Sequence, residues 1–159
     1  MQYPLLIVYE TQRRLATWLR EAAPIAEQLR YDTEGKLTPI GGDDRGDARP
    51  TWLLREPRRP SACLRLLERG GPAVVVLHLG ASPEEVLKLL DAIAWRFPDA
   101  VTVVVEEEHR GLAPLAWDLG ATMVVLPPRV HERLQETVLG LMHSTRAPEA
   151  PAALNTTEE

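Results

Sequence analysis

The chain has 159 residues, a formal net charge of −5, 45% hydrophobic residues and 26% charged residues. This balance indicates one globular domain with its own core, and it argues against a nucleic-acid binder that relies on general basicity. The single cysteine, Cys63, excludes an internal disulfide and favours a cytoplasmic setting. The apolar runs are too short for a signal peptide or a membrane span, so no membrane contact is expected.

The first 30 residues predict a strand followed by a helix. Leu5–Tyr9 is a continuous apolar run, which is typical of a strand buried on both faces. Thr11 is suited to cap the helix that follows. The apolar face of that helix comprises Leu15, Trp18, Leu19 and Ala22. Pro24 ends or kinks this helix, and the spacing of Ile25, Ala26 and Leu29 would extend it by two turns.

Residues 31–50 interrupt this regular pattern. They are rich in Gly, Asp, Pro and Thr and show no period, which predicts a flexible surface insertion. Its aspartates lack the spacing and the terminal Glu of a calcium loop, so no metal is assigned to them. Thr51–Arg55 is the next predicted strand, and Ser61 is suited to cap the short helix after it.

The second half alternates most clearly. Apolar runs predict strands at Ala73–Leu79, Val101–Val105 and Thr122–Leu126. A capping box at Ser82 begins a helix after the first of these, and two further helices follow the others. The folded domain is therefore expected to cover residues 1–143, followed by a disordered tail at 144–159. Five apolar strands alternating with one-sided helices predict an α/β fold, a doubly wound five-stranded parallel sheet with helices on both faces.

Three segments resemble the receiver domains of two-component response regulators. LLIVYETQRRLATWLRE (5–21) is similar to the first strand and helix, PAVVVLHLG (72–80) to the third strand, and GATMVVLPP (120–128) to the segment around the fifth strand. The resemblance covers about residues 4–143 outside the segment 24–50, and it implies a flavodoxin-like fold and a signalling role.

The same resemblance implies that the phosphorylation site is degenerate. The two acidic metal-site positions correspond to Tyr9 and Glu10, the phosphoacceptor aspartate to His78, the switch hydroxyl to Val105 and the lysine to Pro127. Aspartyl phosphate formation needs a carboxylate nucleophile, several oxygen ligands for a divalent cation, and a fixed cation. We therefore expect a pseudo-receiver that is not an enzyme and uses no cofactor and no metal.

Two functions remain open from the sequence. One is a phosphorylation-independent interaction module in bacterial signalling or transcriptional regulation, which binds a protein partner or a second copy through residues 111–143, the face that receivers commonly use. Candidate contacts are Trp117, Leu139 and Met142, although the latter two equally suit a core-facing stripe. The alternative is a metal-binding protein or enzyme that uses Glu10, His78 and Glu106 at the ends of the strands.

An arginine-rich stretch allows a second kind of contact. Arginines are concentrated at Arg55, Arg58, Arg59, Arg65 and Arg69. They form either a docking patch for an acidic partner or a solvated face.

Overall fold

The computed structural model describes residues 4–22, 25–26, 29–31, 37–39, 52–108 and 111–144. Strands and helices alternate along most of this range, as the apolar runs predict. The elements in chain order are β1 (Leu5–Tyr9), α1 (Arg14–Ala22), β2 (Ile25–Ala26), β3 (Leu29–Tyr31), β4 (Leu37–Pro39), β5 (Trp52–Arg55), α2 (Pro60–Glu68), β6 (Ala73–His78), α3 (Pro83–Arg96), β7 (Val101–Val105), α4 (Ala113–Asp118), β8 (Met123–Val125) and α5 (Val130–Ser144).

The main sheet is parallel and runs in the order β2-β5-β1-β6-β7-β8. The predicted five-stranded parallel sheet is confirmed by β5, β1, β6, β7 and β8. A sixth strand, β2, adds two residues to one edge, where Ile25 lies opposite Trp52. The opposite edge is β8, with three residues. The strand order places β1 and β6 in the middle of the sheet.

The segment after α1 differs from the prediction. The two-turn helical extension is wrong, because Ile25–Ala26 forms β2 and Leu29–Tyr31 pairs antiparallel with Leu37–Pro39. Pro24 explains why the helix stops, since its ring disfavours a helical conformation for the residue before it. Strand β4 also lies inside the region predicted as an irregular insertion. The remainder of the predicted insertion, and the tail after Ser144, lie outside the described residues.

Two hydrophobic cores cover the two faces of the sheet. Side chains of β1 alternate between them, with Ile7 in one core and Val8 in the other. The first core is completed by α2, α3 and α4, and the second by α1 and α5. Strands buried on both faces read as continuous apolar runs, which is why the sequence identified them. None of the helices in the described ranges is long and apolar enough to cross a membrane.

The helices begin in ways that the sequence only partly predicts. Ser61 lies inside α2, which begins at Pro60 after an N-cap at Arg59. Ser82 does occupy the N-cap of α3, but its side chain makes no capping hydrogen bond. Pro83 at the start of that helix and the acidic residues in its first turn are compatible with a helix N-terminus on their own. The capping box predicted there is therefore not formed.

Candidate functional site

The positions that the resemblance predicts as a degenerate phosphorylation site lie at the carboxyl ends of the strands. Tyr9 ends β1, His78 ends β6 and Val105 ends β7, and these strands are neighbours. His78 and Val105 are direct partners in the register. Pro127 lies two residues beyond the end of β8, which pairs with β7. The carboxyl ends of parallel strands form the crevice of an open α/β sheet, so this end of the sheet is the candidate site.

Glu10 serves as the cap of α1. Its Oε2 accepts a hydrogen bond from the Leu15 amide at 3.1 Å, and its Oε1 accepts one from the Ala16 amide at 3.2 Å. Both carboxylate oxygens are thereby bound to the first turn of the helix, where the dipole favours a negative charge. Burial raises the pKa of Glu10, and the two amide bonds and His78 oppose this rise. Glu10 thus has the capping role that the sequence pattern predicts for Thr11.

His78 contacts an ion pair formed by Arg14 and Glu107, two residues that the sequence pattern does not single out. Its Nε2 lies 3.2 Å from Oε2 of Glu107, and the same oxygen is bound by the guanidinium of Arg14. Nδ1 of His78 is buried without a hydrogen-bond partner in the described part of the chain. Gly80, at φ +42°, lies so close that a Cβ there would be 2.9 Å from Nδ1. The imidazole is therefore closely confined.

The predicted metal triad of Glu10, His78 and Glu106 is not formed. Glu106 is fully buried, its Oε1 accepts a hydrogen bond from the Leu112 amide at 3.3 Å, and its Oε2 has no partner in the described chain. Glu10 is likewise bound to backbone amides. Among the described residues, no three His, Cys, Asp or Glu side chains are arranged to hold a metal ion. Glu107, one residue further along a run of three glutamates, is the carboxylate that reaches His78.

A series of contacts connects the crevice with α5. The guanidinium of Arg14 lies 5.1 Å from the centre of the Trp18 ring, which is within cation–π range. Trp18 in turn stacks on His131, with ring centroids 4.3 Å apart. Gln135 donates a hydrogen bond to the Trp18 carbonyl at 3.0 Å and lies 2.9 Å from Nε2 of His131. Helices α1 and α5 are therefore joined by polar and aromatic contacts that begin at the His78 cluster.

The three predicted interface residues differ in exposure. Trp117 is 48% exposed, Leu139 is half-buried, and Met142 is buried in the second core. Met142 thus belongs to the core-facing stripe of α5 and is not an exposed contact. Leu115, which lies on α4, is 43% exposed. Trp95, outside the predicted face, is 82% exposed.

Cys63 is buried in the first core. Burial raises the pKa of its thiol to about 12. The reactive thiolate is therefore suppressed at neutral pH, and Cys63 is not a candidate nucleophile.

Comparison with solved structures finds receiver domains. The chain superimposes on an N-terminal signal receiver domain of a response regulator from Bacteroides fragilis, with 18% identity, a TM-score of 0.57 and coverage of 89% of this chain and 98% of that one. The signal receiver domain of a putative Luxo repressor protein from Vibrio parahaemolyticus is 15% identical, with a TM-score of 0.60. That match covers 91% of this chain and 93% of the other. The signal receiver domain of an HD domain-containing protein from Pseudomonas fluorescens Pf-5 is 13% identical, with a TM-score of 0.60. That match covers 91% of this chain and 90% of the other.

No protein-family model and no curated protein sequence matches the chain. At such low identities, the structural similarity shows the fold alone. The chain has the flavodoxin-like α/β fold of receiver domains.

Proposed function

We propose that the chain is a phosphorylation-independent receiver-type module that acts in the cytoplasm through protein–protein contacts, in bacterial signalling or transcriptional regulation. The observation that carries this proposal is the identity of the residue at the carboxyl end of the central strand β6. His78 stands there, with its Nε2 paired to Glu107 and the Glu107 carboxylate paired to Arg14. A receiver-like fold with this residue lacks the carboxylate nucleophile on which aspartyl phosphate formation depends.

The surroundings of His78 support the same proposal. Both oxygens of Glu10 are used by backbone amides of α1, which leaves them poorly placed to hold a divalent cation. Pro127 carries no charge to balance phosphoryl oxygens. The nearby cation, Arg14, is neutralised by Glu107. Several independent requirements of phosphoryl transfer are therefore unmet.

The distribution of exposed apolar side chains favours residues 111–143 as the contact face. Five large hydrophobic residues are exposed in the described chain, and four of them lie within this range: Leu115, Trp117, Met123 and Leu126. They belong to α4, to the edge strand β8 and to the residue that follows it. Exposed apolar side chains beside an unpaired sheet edge are typical of interaction surfaces. The partner is either a second copy of the chain or another protein.

Two tryptophan variants test this face against the rest of the surface. Trp117→Glu places a charge on the proposed face, and Trp95→Glu places the same charge on α3, where the indole is more exposed. We expect Trp117→Glu to weaken self-association in light scattering, or capture of one defined partner from host extract, by roughly tenfold or more. Trp95→Glu should leave both unchanged. Equal effects of the two variants, or no association of any kind by the wild type, would contradict the proposal.

A further inference from the structure

An arginine-rimmed pocket lies between the end of β5 and α2. Its volume is about 270 Å³. Three arginines contribute to its wall: Arg55 at the end of β5, Arg65 of α2, and Arg69 at the C-cap of α2. The apolar lining includes Pro57 and Leu66, and the carboxylate of Glu56 also borders the pocket. The pocket thus combines cationic donors with an apolar surface, which is the composition of a binding site for an anionic group carried on an apolar frame.

The two acidic residues of this stretch are paired with arginines from other elements. Glu56 forms an ion pair with Arg20 of α1 at 2.9 Å, and Glu68 forms one with Arg96 of α3 at 2.9 Å. Each of these two carboxylates is therefore already engaged by an arginine of another element, so its negative charge does not offset only the charge of the pocket arginines. Two more arginines, Arg58 and Arg59, are exposed in the turn just before α2. A chain with a net charge of −5 thus carries a local concentration of positive charge here.

Two of the pocket guanidinium groups, those of Arg55 and Arg65, have N–H donors to spare. Arg55 donates one N–H to the Leu54 carbonyl at 3.0 Å, and a guanidinium has five N–H donors. Arg65 is exposed and forms no ion pair with the acidic residues of the described chain. Arg69, the C-cap of α2, follows Arg65 by four residues and has helical backbone angles, so the two side chains lie on the same side of the helix. The positive groups of the pocket therefore come from the end of β5 and from one side of α2.

We infer that this pocket binds an acidic segment of a protein partner. Guanidinium groups that lie both in the pocket and in the exposed turn beside it match several carboxylates spaced along a peptide better than one phosphate group. Each guanidinium can bind a carboxylate through two parallel N–H donors. The apolar surface of Pro57 and Leu66 suits an aliphatic side chain between those carboxylates. The site is separate from the 111–143 face, because β5 lies towards the β2 edge and β8 forms the opposite edge.

Fluorescence anisotropy on the full chain tests this inference. The probe is a short fluorescein-labelled peptide of alternating Glu and Leu, compared with a peptide of alternating Gln and Leu. We expect the wild type to bind the Glu peptide, to bind it more weakly as salt is added, and to bind the Gln peptide poorly. The variant Arg55→Gln/Arg65→Gln should weaken binding of the Glu peptide by roughly tenfold.

A matched variant separates the pocket from bulk charge. Lys88→Gln/Arg13→Gln removes two exposed positive charges, one from α3 and one from the residue before α1, and should bind the Glu peptide as the wild type does. Thermal melts of both double variants should match that of the wild type. The inference is overturned if the two variants weaken binding equally, if the Gln peptide binds as tightly, or if the wild type binds inorganic phosphate and not the Glu peptide. None of these results depends on whether Trp117 mediates association.

Discussion

At the scale of single residues, the contacts of His78 determine which chemistry the crevice can support. Its imidazole is confined by Gly80 on one side and paired to Glu107 on the other, and Glu107 is shared with Arg14. The crevice beside His78 thus holds two opposite charges, those of Arg14 and Glu107, in direct contact. The crevice is organised as a local ion-pair cluster, and we expect it to resist the reagents that modify receivers.

The chain should therefore not accept phosphate. Incubation with acetyl phosphate or beryllofluoride in the presence of magnesium should give no stoichiometric mass increase and no magnesium-dependent change in NMR spectra. The variant His78→Asp restores a carboxylate at this position, but we expect it to remain unmodified, because Glu10 is bound to α1 and Pro127 provides no cation. Stoichiometric modification of the wild type would contradict the proposed function. Modification of the variant alone would show that only the nucleophile was missing.

Helix α1 depends on contacts at its start and along its side. Glu10 binds two amides of its first turn, and Trp18 packs between Arg14 and His131. The helix has no acidic residue in its own first turn, so Glu10 is the negative charge available to its dipole there. Glu10, which directly follows strand β1, thus stabilises the start of the next helix, α1.

Removing this cap should destabilise the fold. Glu10→Ala deletes both hydrogen bonds to the α1 amides, and the loss of a helix cap costs about 0.5–2 kcal/mol. Urea denaturation should show a decrease of this size in the free energy of unfolding. Thr11→Ala is the matched control, because Thr11 is exposed, and its effect should stay within about 0.5 kcal/mol. An equal loss in the two variants would mean that Glu10 is not the cap.

At the scale of the whole molecule, limited proteolysis tests the predicted domain boundaries. The composition of residues 31–50 and 144–159 predicts that trypsin cuts first after Arg45 or Arg146. Lys88 and Arg96 lie in or at the end of α3, whose backbone is helical and whose inner face is buried, so cleavage there should be slow. Mass spectrometry of the first fragments identifies the site. Early cleavage after Lys88 would show that α3 opens more easily than its packing indicates.

The sequence predicts the parallel sheet because its strands are buried on both faces, so each leaves a continuous apolar run. Ile25 was misassigned because its strand is only two residues long and exists through pairing with β5, a contact between distant parts of the chain. Glu107 was missed because three successive glutamates follow β7, and residue type alone does not say which of them turns towards His78. The ion pairs of Glu56 and Glu68 likewise cannot be predicted from the local sequence, because their arginine partners lie far away along the chain.

The short outer strands of the sheet limit how far copies of this chain could assemble. If two copies join along β8, each contributes three residues to a symmetric contact, and the same edge is then occupied in both. The outer strand left on either side is β2, whose two residues give little backbone for another chain to pair with. Assembly along the sheet would therefore end at a closed pair and would not continue into a filament.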